Sequence, residues 1–384
     1  MKLNLRTIVG APLATLTFAV TPLAARTAFA QDGTVIYRLG RDTVAVEQFT
    51  RTPTRLAGEM VTRSGTTVTR TQYELTITSG RPTAAVVRRM QADGKPLANT
   101  PTEYRFTFRA DSAIRQTVWP DSTPSRTFAA ANAYPTLPVF VYAPFELLHA
   151  AAKHDSVPTI GVAGSSVSWV GMETMGNDTD RLRNAPYAML LRFDKSGKLQ
   201  STDGSFTTNK AIGTRGSARL DVAAIAGTMK PTGVLSPRMT AYAGFSQGPI
   251  FINYGSPAVR GRTVWGGTLI PIDTIWRTGA NEATHLATSK TIQIGDMTLA
   301  PGLFTLWTQH TTSGIWLIVN KQVGQWGTGY AAANDIGRVA MTLAATPEHV
   351  EDFTITIRSL GQNRGAIDLA WDDKVATAMF LVKP

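Results

Sequence analysis

The sequence predicts an all-β, predominantly antiparallel protein in two parts: an N-terminal curved sheet or open barrel with one mid-chain helix, followed by a C-terminal β-sandwich. Three observations carry this prediction. Apolar residues recur at every second position over short stretches, Gly, Pro, Asn and Asp fall between those stretches, and one segment alone shows a helical apolar face. The length of 384 residues suits two domains, and 43% apolar with 17% charged residues is the balance of a packed core rather than of a disordered chain.

In chain order, residues 1–30 read as a secretory signal peptide. Lys2 and Arg6 form the charged start, Ile8–Ala25 is mostly apolar, and Ala28-Phe29-Ala30 supplies a small-x-small cleavage signal. Cleavage is expected after Ala30, which places the mature protein in the periplasm or outside the cell. No later apolar run reaches the roughly 20 residues of a membrane-spanning helix, so no transmembrane segment is expected in the mature chain.

Residues 31–230 form the first domain. Tyr104, Phe106 and Phe108 alternate with Arg105, Thr107 and Arg109, which is the period of a strand with one wet face. Tyr73, Leu75 and Ile77 repeat the pattern, as do Tyr187, Met189, Leu191 and Phe193. Asp93-Gly94, Ser196-Gly197 and Asp203-Gly204 mark hairpin turns between such runs. The helix is placed at 143–154, where Phe145, Leu147, Leu148 and Ala151 share a face. A sheet curled around that helix either fills with side chains or leaves room for an apolar ligand.

Residues 231–240, with Pro231, Gly233 and Pro237, read as a linker to the sandwich of 241–384. There, Ile250–Ile252, Leu303–Trp307, Trp316–Val319, Val339–Leu343, Phe353–Ile357 and Ile367–Trp371 are strands bounded by turn formers. Trp307, Trp316 and Trp371 lie within strand patterns and belong to the core. Trp265, Trp276 and Trp326 lie beside glycines in loop-like sequence, where a tryptophan either closes the core edge or offers a flat face to a ligand.

Composition excludes several chemistries. The chain has no cysteine, hence no disulfide framework, thiol nucleophile or thiolate-bound metal. The net charge of +11 is scattered, with no run of four Lys or Arg, so a nucleic-acid partner is not expected. Gly244-Phe245-Ser246-Gln247-Gly248 has the spacing of a hydrolase elbow but no long helical pattern after it. His149 and His154 fall on the predicted helix.

The segment Gly261-Arg262-Thr263-Val264-Trp265-Gly266-Gly267-Thr268-Leu269-Ile270-Pro271, followed by Ile275–Thr284, resembles the signature of an exported bacterial family catalogued as domain of unknown function 2911. The resemblance continues through Ala300–Trp307, Asn320-Lys321, Gln325-Trp326-Gly327, Asp335–Val339 and Trp371, spanning about residues 240–380. Phe304 stands where that family usually has tyrosine, and Pro301 precedes Gly302. The resemblance implies the fold and export, and supplies no catalytic residue.

Within this segment, Arg262, Arg277, Asn281, Glu282 and His285 are polar groups set among tryptophans and glycines. Gly279 and Asn281 tolerate positive φ, so Thr278–Glu282 is expected to form a tight turn, across which Arg277 and Glu282 can face each other. The arginines can fork onto a carboxylate or phosphate, with Glu282 as the candidate general base. Thr284–Thr288 reads as a strand, which points Glu282 and His285 away from joint metal ligation, and no metal or cofactor is expected. The ligand-binding candidates are therefore Arg262, Trp265, Trp276, Arg277, Asn281, Glu282, His285 and Trp326. The expected function is non-enzymatic binding or scaffolding in the cell envelope, with an apolar or amphipathic small molecule in the N-terminal domain. Two alternatives are a glycan or wall-polymer binder acting through the loop tryptophans, and a hydrolase or lyase using Glu282 with Arg262 and Arg277.

Overall fold

The computed structural model describes residues 33–152, 155–176, 178–183, 189–205, 207 and 209–383. The expected signal peptide, His154 and Tyr187 lie outside the described residues. The described residues are 58% strand and 5% helix, which makes the fold all-β.

The first sheet begins with β1 (Gly33–Leu39), β2 (Asp42–Arg51), β3 (Arg55–Ser64), β4 (Thr67–Thr78), β5 (Arg81–Gln91), β6 (Glu103–Phe108), β7 (Ala113–Val118), β8 (Ser125–Phe128) and β9 (Tyr134–Thr136). It continues with β10 (Val157–Gly161), β11 (Ser168–Gly176), β12 (Thr179–Arg183), β13 (Leu190–Phe193), β14 (Leu199–Asp203) and β15 (Ile212–Gly216). The order descends from β8 to β1, passes to β15, and descends again to β9. Every neighbouring pair is antiparallel except β9 with β10. A twisted sheet of this many strands curls, and this one curls around helix α1 (Phe145–Ala152).

The two-residue period expected at β6 is present: Tyr104, Phe106 and Phe108 are buried while Arg105 and Thr107 are exposed. The concave interior is packed rather than open, filled by Tyr37, Phe49, Met60, Leu75, Leu147 and Leu191, among others. Two buried carboxylates anchor it. Glu47 accepts hydrogen bonds from Tyr37 Oη (2.8 Å), Tyr73 Oη (2.7 Å) and the backbone N–H groups of Tyr142 and Ala143. Burial raises its pKa and these four donors oppose the rise. Glu146, on α1, accepts from Arg215 Nη1 (2.6 Å), Arg51 Nη1 (3.0 Å) and the Leu199 amide (3.0 Å).

A second helix, α2 (Val222–Thr228), lies on the outer side of β2–β4, where Val222 and Ala226 pack on Val46 and Val61. Asp221 caps it by accepting from the Ala224 amide at 3.0 Å. Seven residues are too few to show helical periodicity in the sequence, where one helix was expected.

The second sheet comprises β16 (Arg238–Phe245), β17 (Gly248–Gly255), β18 (Ile275–Trp276), β19 (Thr284–Thr288) and β20 (Ile292–Ile294). It is completed by β21 (Met297–Leu299), β22 (Gly302–Thr311), β23 (Gly314–Asn320), β24 (Asp335–Ser359) and β25 (Arg364–Val382). The path is β16-β17-β19-β22-β23-β24-β25-β20-β21, with β18 attached to β22. Register breaks in the β24–β25 hairpin, between Ala345 and Thr354, let the long strands bend. One continuous sheet thereby supplies both layers of a sandwich. Ile250, Ile252, Leu286, Leu306 and Leu317 share one core with Phe353, Ile355, Leu369, Trp371 and Phe380.

Candidate functional site

A cavity of about 400 Å³ opens between the two sheets. The first sheet contributes the ends of the β1–β2 and β3–β4 hairpins, including Leu39 and Val44, together with Phe140 and Lys210. The connecting segment adds Val234 and Leu235. The second sheet contributes Arg262, Leu269, Trp276, Arg277, Asn281 and Trp371. The two halves meet beside it. Gly40 packs against the Arg260 carbonyl, which accepts from the Arg41 amide at 3.1 Å, and Arg260 forms an ion pair with Asp42.

The turn expected at Thr278–Glu282 is present, with Thr278, Gly279 and Asn281 all at positive φ. Thr278 is β-branched, and holding it there costs roughly 1–3 kcal/mol. It is kept in place by Thr308 Oγ1, 2.6 Å from its hydroxyl, and by Thr284, which donates to its carbonyl at 2.7 Å.

This turn separates the two charges that flank it. Glu282 leads outward into β19 and faces Arg238 at 3.7 Å. Arg277 instead turns inward to the cavity and forms no ion pair with Glu282. Its residue is 8% exposed, and its buried Nε has no hydrogen-bond partner. Burial alone, with no carboxylate beside it, lowers the guanidinium pKa.

Lys210 donates from Nζ to the Ser205 carbonyl at 2.9 Å and approaches the Thr268 carbonyl at 3.4 Å. Desolvation, then the positive charges of Arg277 and Arg262, bring its pKa down to about 8, against the pull of Asp203. Arg262 donates to the Val259 carbonyl (3.0 Å) and the Ala258 carbonyl (2.7 Å). Burial and neighbouring Arg260 lower it to about 10, although Glu351 and Asp42 act in the opposite direction.

Lys210 carries a pH prediction. Its folded pKa of about 8 lies below its ordinary 10.5, so between these values the folded chain holds fewer protons than the unfolded one. The contribution of Lys210 to stability therefore rises with pH from about 8 and levels off near 10.5. Urea unfolding across this range should show the rise in the wild type, and Lys210→Met should remove it; equal slopes would contradict the assignment.

The cavity thus brings together four of the sequence-derived candidates: Arg262, Trp276, Arg277 and Asn281. Trp276 is buried and stacks on Trp371 at 5.6 Å between ring centres. Trp265 is buried away from the cavity, where its Nε1 donates to the Trp371 carbonyl and its ring meets His310 edge-on. Glu282, His285 and Trp326 lie on the other side of the turn. His285 Nε2 accepts from the Gly324 amide at 3.1 Å, and desolvation followed by nearby Arg238 lowers its pKa, which keeps the ring neutral near pH 7. Trp326 is 46% exposed. Ser246 occupies the β16–β17 hairpin and its hydroxyl donates to Asn363 Oδ1 at 2.6 Å, which is not the strand-to-helix setting of a hydrolase elbow. Among the described residues, no group of three or more His, Asp or Glu side chains is placed to hold a metal ion.

Sequence reasoning missed Lys210, Phe140, Trp371 and Gly327 as parts of this site. Gly327 belongs to the Gln325-Trp326-Gly327 motif, and its role is steric. A Cβ there would lie 2.0 Å from Arg277 Cδ and 2.5 Å from the Asn281 carbonyl oxygen. Gly327→Ala is therefore expected to cost about 1–3 kcal/mol, as overpacking does, and to displace Arg277. Urea denaturation tests this directly, and an unchanged midpoint would contradict it.

The fold and site define an all-β protein of two large sheets with a cation-lined cavity between them. Residues 236–380 match the family described as Protein of unknown function (DUF2911), and the region before them matches no family. Comparison with curated proteins finds no match.

Proposed function

We propose that this is an exported, non-enzymatic binding protein that holds one small, partly apolar molecule in the cavity between its sheets. The observation that carries the reading is the cavity itself. Its volume of about 400 Å³ falls in the range of small-molecule sites, and Trp276, Trp371, Phe140, Leu39, Val44 and Leu269 wall it. Because the interior of the first sheet is packed, the proposal puts the ligand at the junction of the two halves and not in the N-terminal domain, where the sequence alone suggests it. Export rests on the N-terminal 30 residues, and recovery of a chain beginning at Gln31 from the periplasm or medium would test it.

The two alternatives draw less support. A glycan platform built from Trp265, Trp276 and Trp326 loses two of its three rings to burial. A hydrolase using Glu282 with Arg262 and Arg277 finds Glu282 outside the cavity that the arginines line.

The binding reading is tested with a neutral apolar dye such as Nile red. About one equivalent per chain should bind, and Leu235→Trp, which enlarges a side chain lining the cavity, should abolish uptake. No dye bound by the wild type, or full uptake by Leu235→Trp, would contradict it.

A further inference from the structure

We propose that the ligand is an organic acid, with its carboxylate or phosphate head on Arg277, flanked by Lys210 and Arg262, and its apolar body against Trp276, Phe140 and Leu269. The inference rests on the cavity reading above and adds the chemistry of the head group.

Buried charges in folded proteins are ordinarily paired. In the first sheet Glu146 obeys this rule by meeting Arg51 and Arg215, and Glu47, which meets no cation, is compensated by four hydrogen bonds. The cavity departs from it. Among the described residues, five that line the cavity are basic and none is acidic. Arg260 pairs with Asp42; Arg63, held by the Thr43 carbonyl and likewise without a carboxylate, is not among the cations that act on Lys210. The other three converge without a carboxylate bonded to any of them. Lys210 and Arg262 are aimed by backbone carbonyls, which orient a cation but leave its charge uncancelled. Arg277 has not even that, being more than nine-tenths buried with an unsatisfied Nε.

Nearby acids do not close the gap. Asp203 reaches Lys210, and Asp42 and Glu351 reach Arg262, only as through-space charges. No such influence acts on Arg277. A guanidinium held rigid by Gly327 packing on its stem, in an apolar enclosure, is a preorganised fork for an oxyanion. Lys210 and Arg262 also line a second, smaller cavity with Arg38, so the head group lies where positive charge is reinforced from both sides.

The test is calorimetric titration of the full chain at pH 7 with three probes of equal chain length: decanoic acid, decyl phosphate and decanol. At least one of the two anions should bind tenfold or more tighter than decanol, and the ratio between them names the preferred head group. Arg277→Met should bring all three within about threefold of one another, while Arg277→Lys should keep part of the preference. Equal affinity for decanol and both anions in the wild type would retain the cavity and overturn the anion site. A preference that survives in Arg277→Met would also overturn it. Failure of all three probes and of the neutral dye would remove the cavity reading itself.

Discussion

Replacing Arg277 by methionine should make the ligand-free protein more stable, by about 2 kcal/mol, because the substitution removes a buried charge that lacks a partner. For the roughly 145-residue sandwich that holds it, such a gain corresponds to about 4–8 °C in melting temperature. Few arginine substitutions inside a protein are expected to have this sign. Methionine keeps the length of the stem that packs on Gly327 and needs no hydrogen bond. The order of the two proteins should reverse on adding the ligand. At about 100 times its dissociation constant, a ligand that the wild type alone binds tightly adds about 2.7 kcal/mol. A lower melting temperature for ligand-free Arg277→Met would show that the guanidinium is satisfied in the fold and is not waiting for an anion.

The largest loss is expected at Glu146. Its carboxylate is buried at 5% exposure and joins α1 to three strands: β2 through Arg51, β14 through the Leu199 amide and β15 through Arg215. Arg215 also lies over the Phe49 ring, 5.0 Å from its centre, so the pair sits within the aromatic core of the first sheet. Glu146→Ala deletes the anion that two guanidinium groups share and is expected to cost about 3–5 kcal/mol, the range for breaking a buried ion pair. Glu146→Gln keeps the shape and the amide contact but loses the charge, and should fall between wild type and Glu146→Ala. Chemical denaturation of the three proteins measures the series. Equal stability of Glu146→Ala and wild type would show that the helix is held by its apolar face alone.

The contrast between Glu146 and Arg277 separates two uses of buried charge in one chain. At Glu146 the charges cancel within the fold, and the result is rigidity. At Arg277 the fold supplies one sign only, and the missing sign is left to a ligand. The strained Thr278 and the close-packed Gly327 hold Arg277 in that setting at a cost in stability, a pattern that accompanies binding sites.

Much of the fold was legible because alternation and turn chemistry are local. Tyr104, Phe106 and Phe108 show the strand period by themselves, and Thr284–Thr288 coincides with β19. The helix expected over 143–154 is found at Phe145–Ala152. In the sequence β24 reads as two strands, Val339–Leu343 and Phe353–Ile357, because the stretch between them, with Pro347, Glu348 and His349, breaks the alternation; the structure carries the strand across as a bend. The site was legible only in part. Gly279 and Asn281 reveal the turn, since positive φ is a property of residue type. The direction in which that turn sends Arg277 and Glu282 depends on the packing of Gly327, Thr308 and Arg238, which arrive from elsewhere in the chain. Lys210 lies in the loop between β14 and β15, in a Thr-Asn-Lys stretch with no pattern of its own and far in sequence from Arg277, and only the assembled fold brings the two charges together.

Native mass spectrometry shows most directly whether the cavity between the sheets takes up an anion. The full chain, produced with its own N-terminal segment and purified without detergent, should carry a reproducible excess mass of about the size that a 400 Å³ cavity admits, a few hundred daltons. That mass should reappear when stripped protein is incubated with decanoic acid or decyl phosphate, and should be lost in Arg277→Met. A bare chain mass in every condition, with decanoic acid and decyl phosphate as ineffective as decanol, would contradict the assignment of the cavity as an anion-binding site.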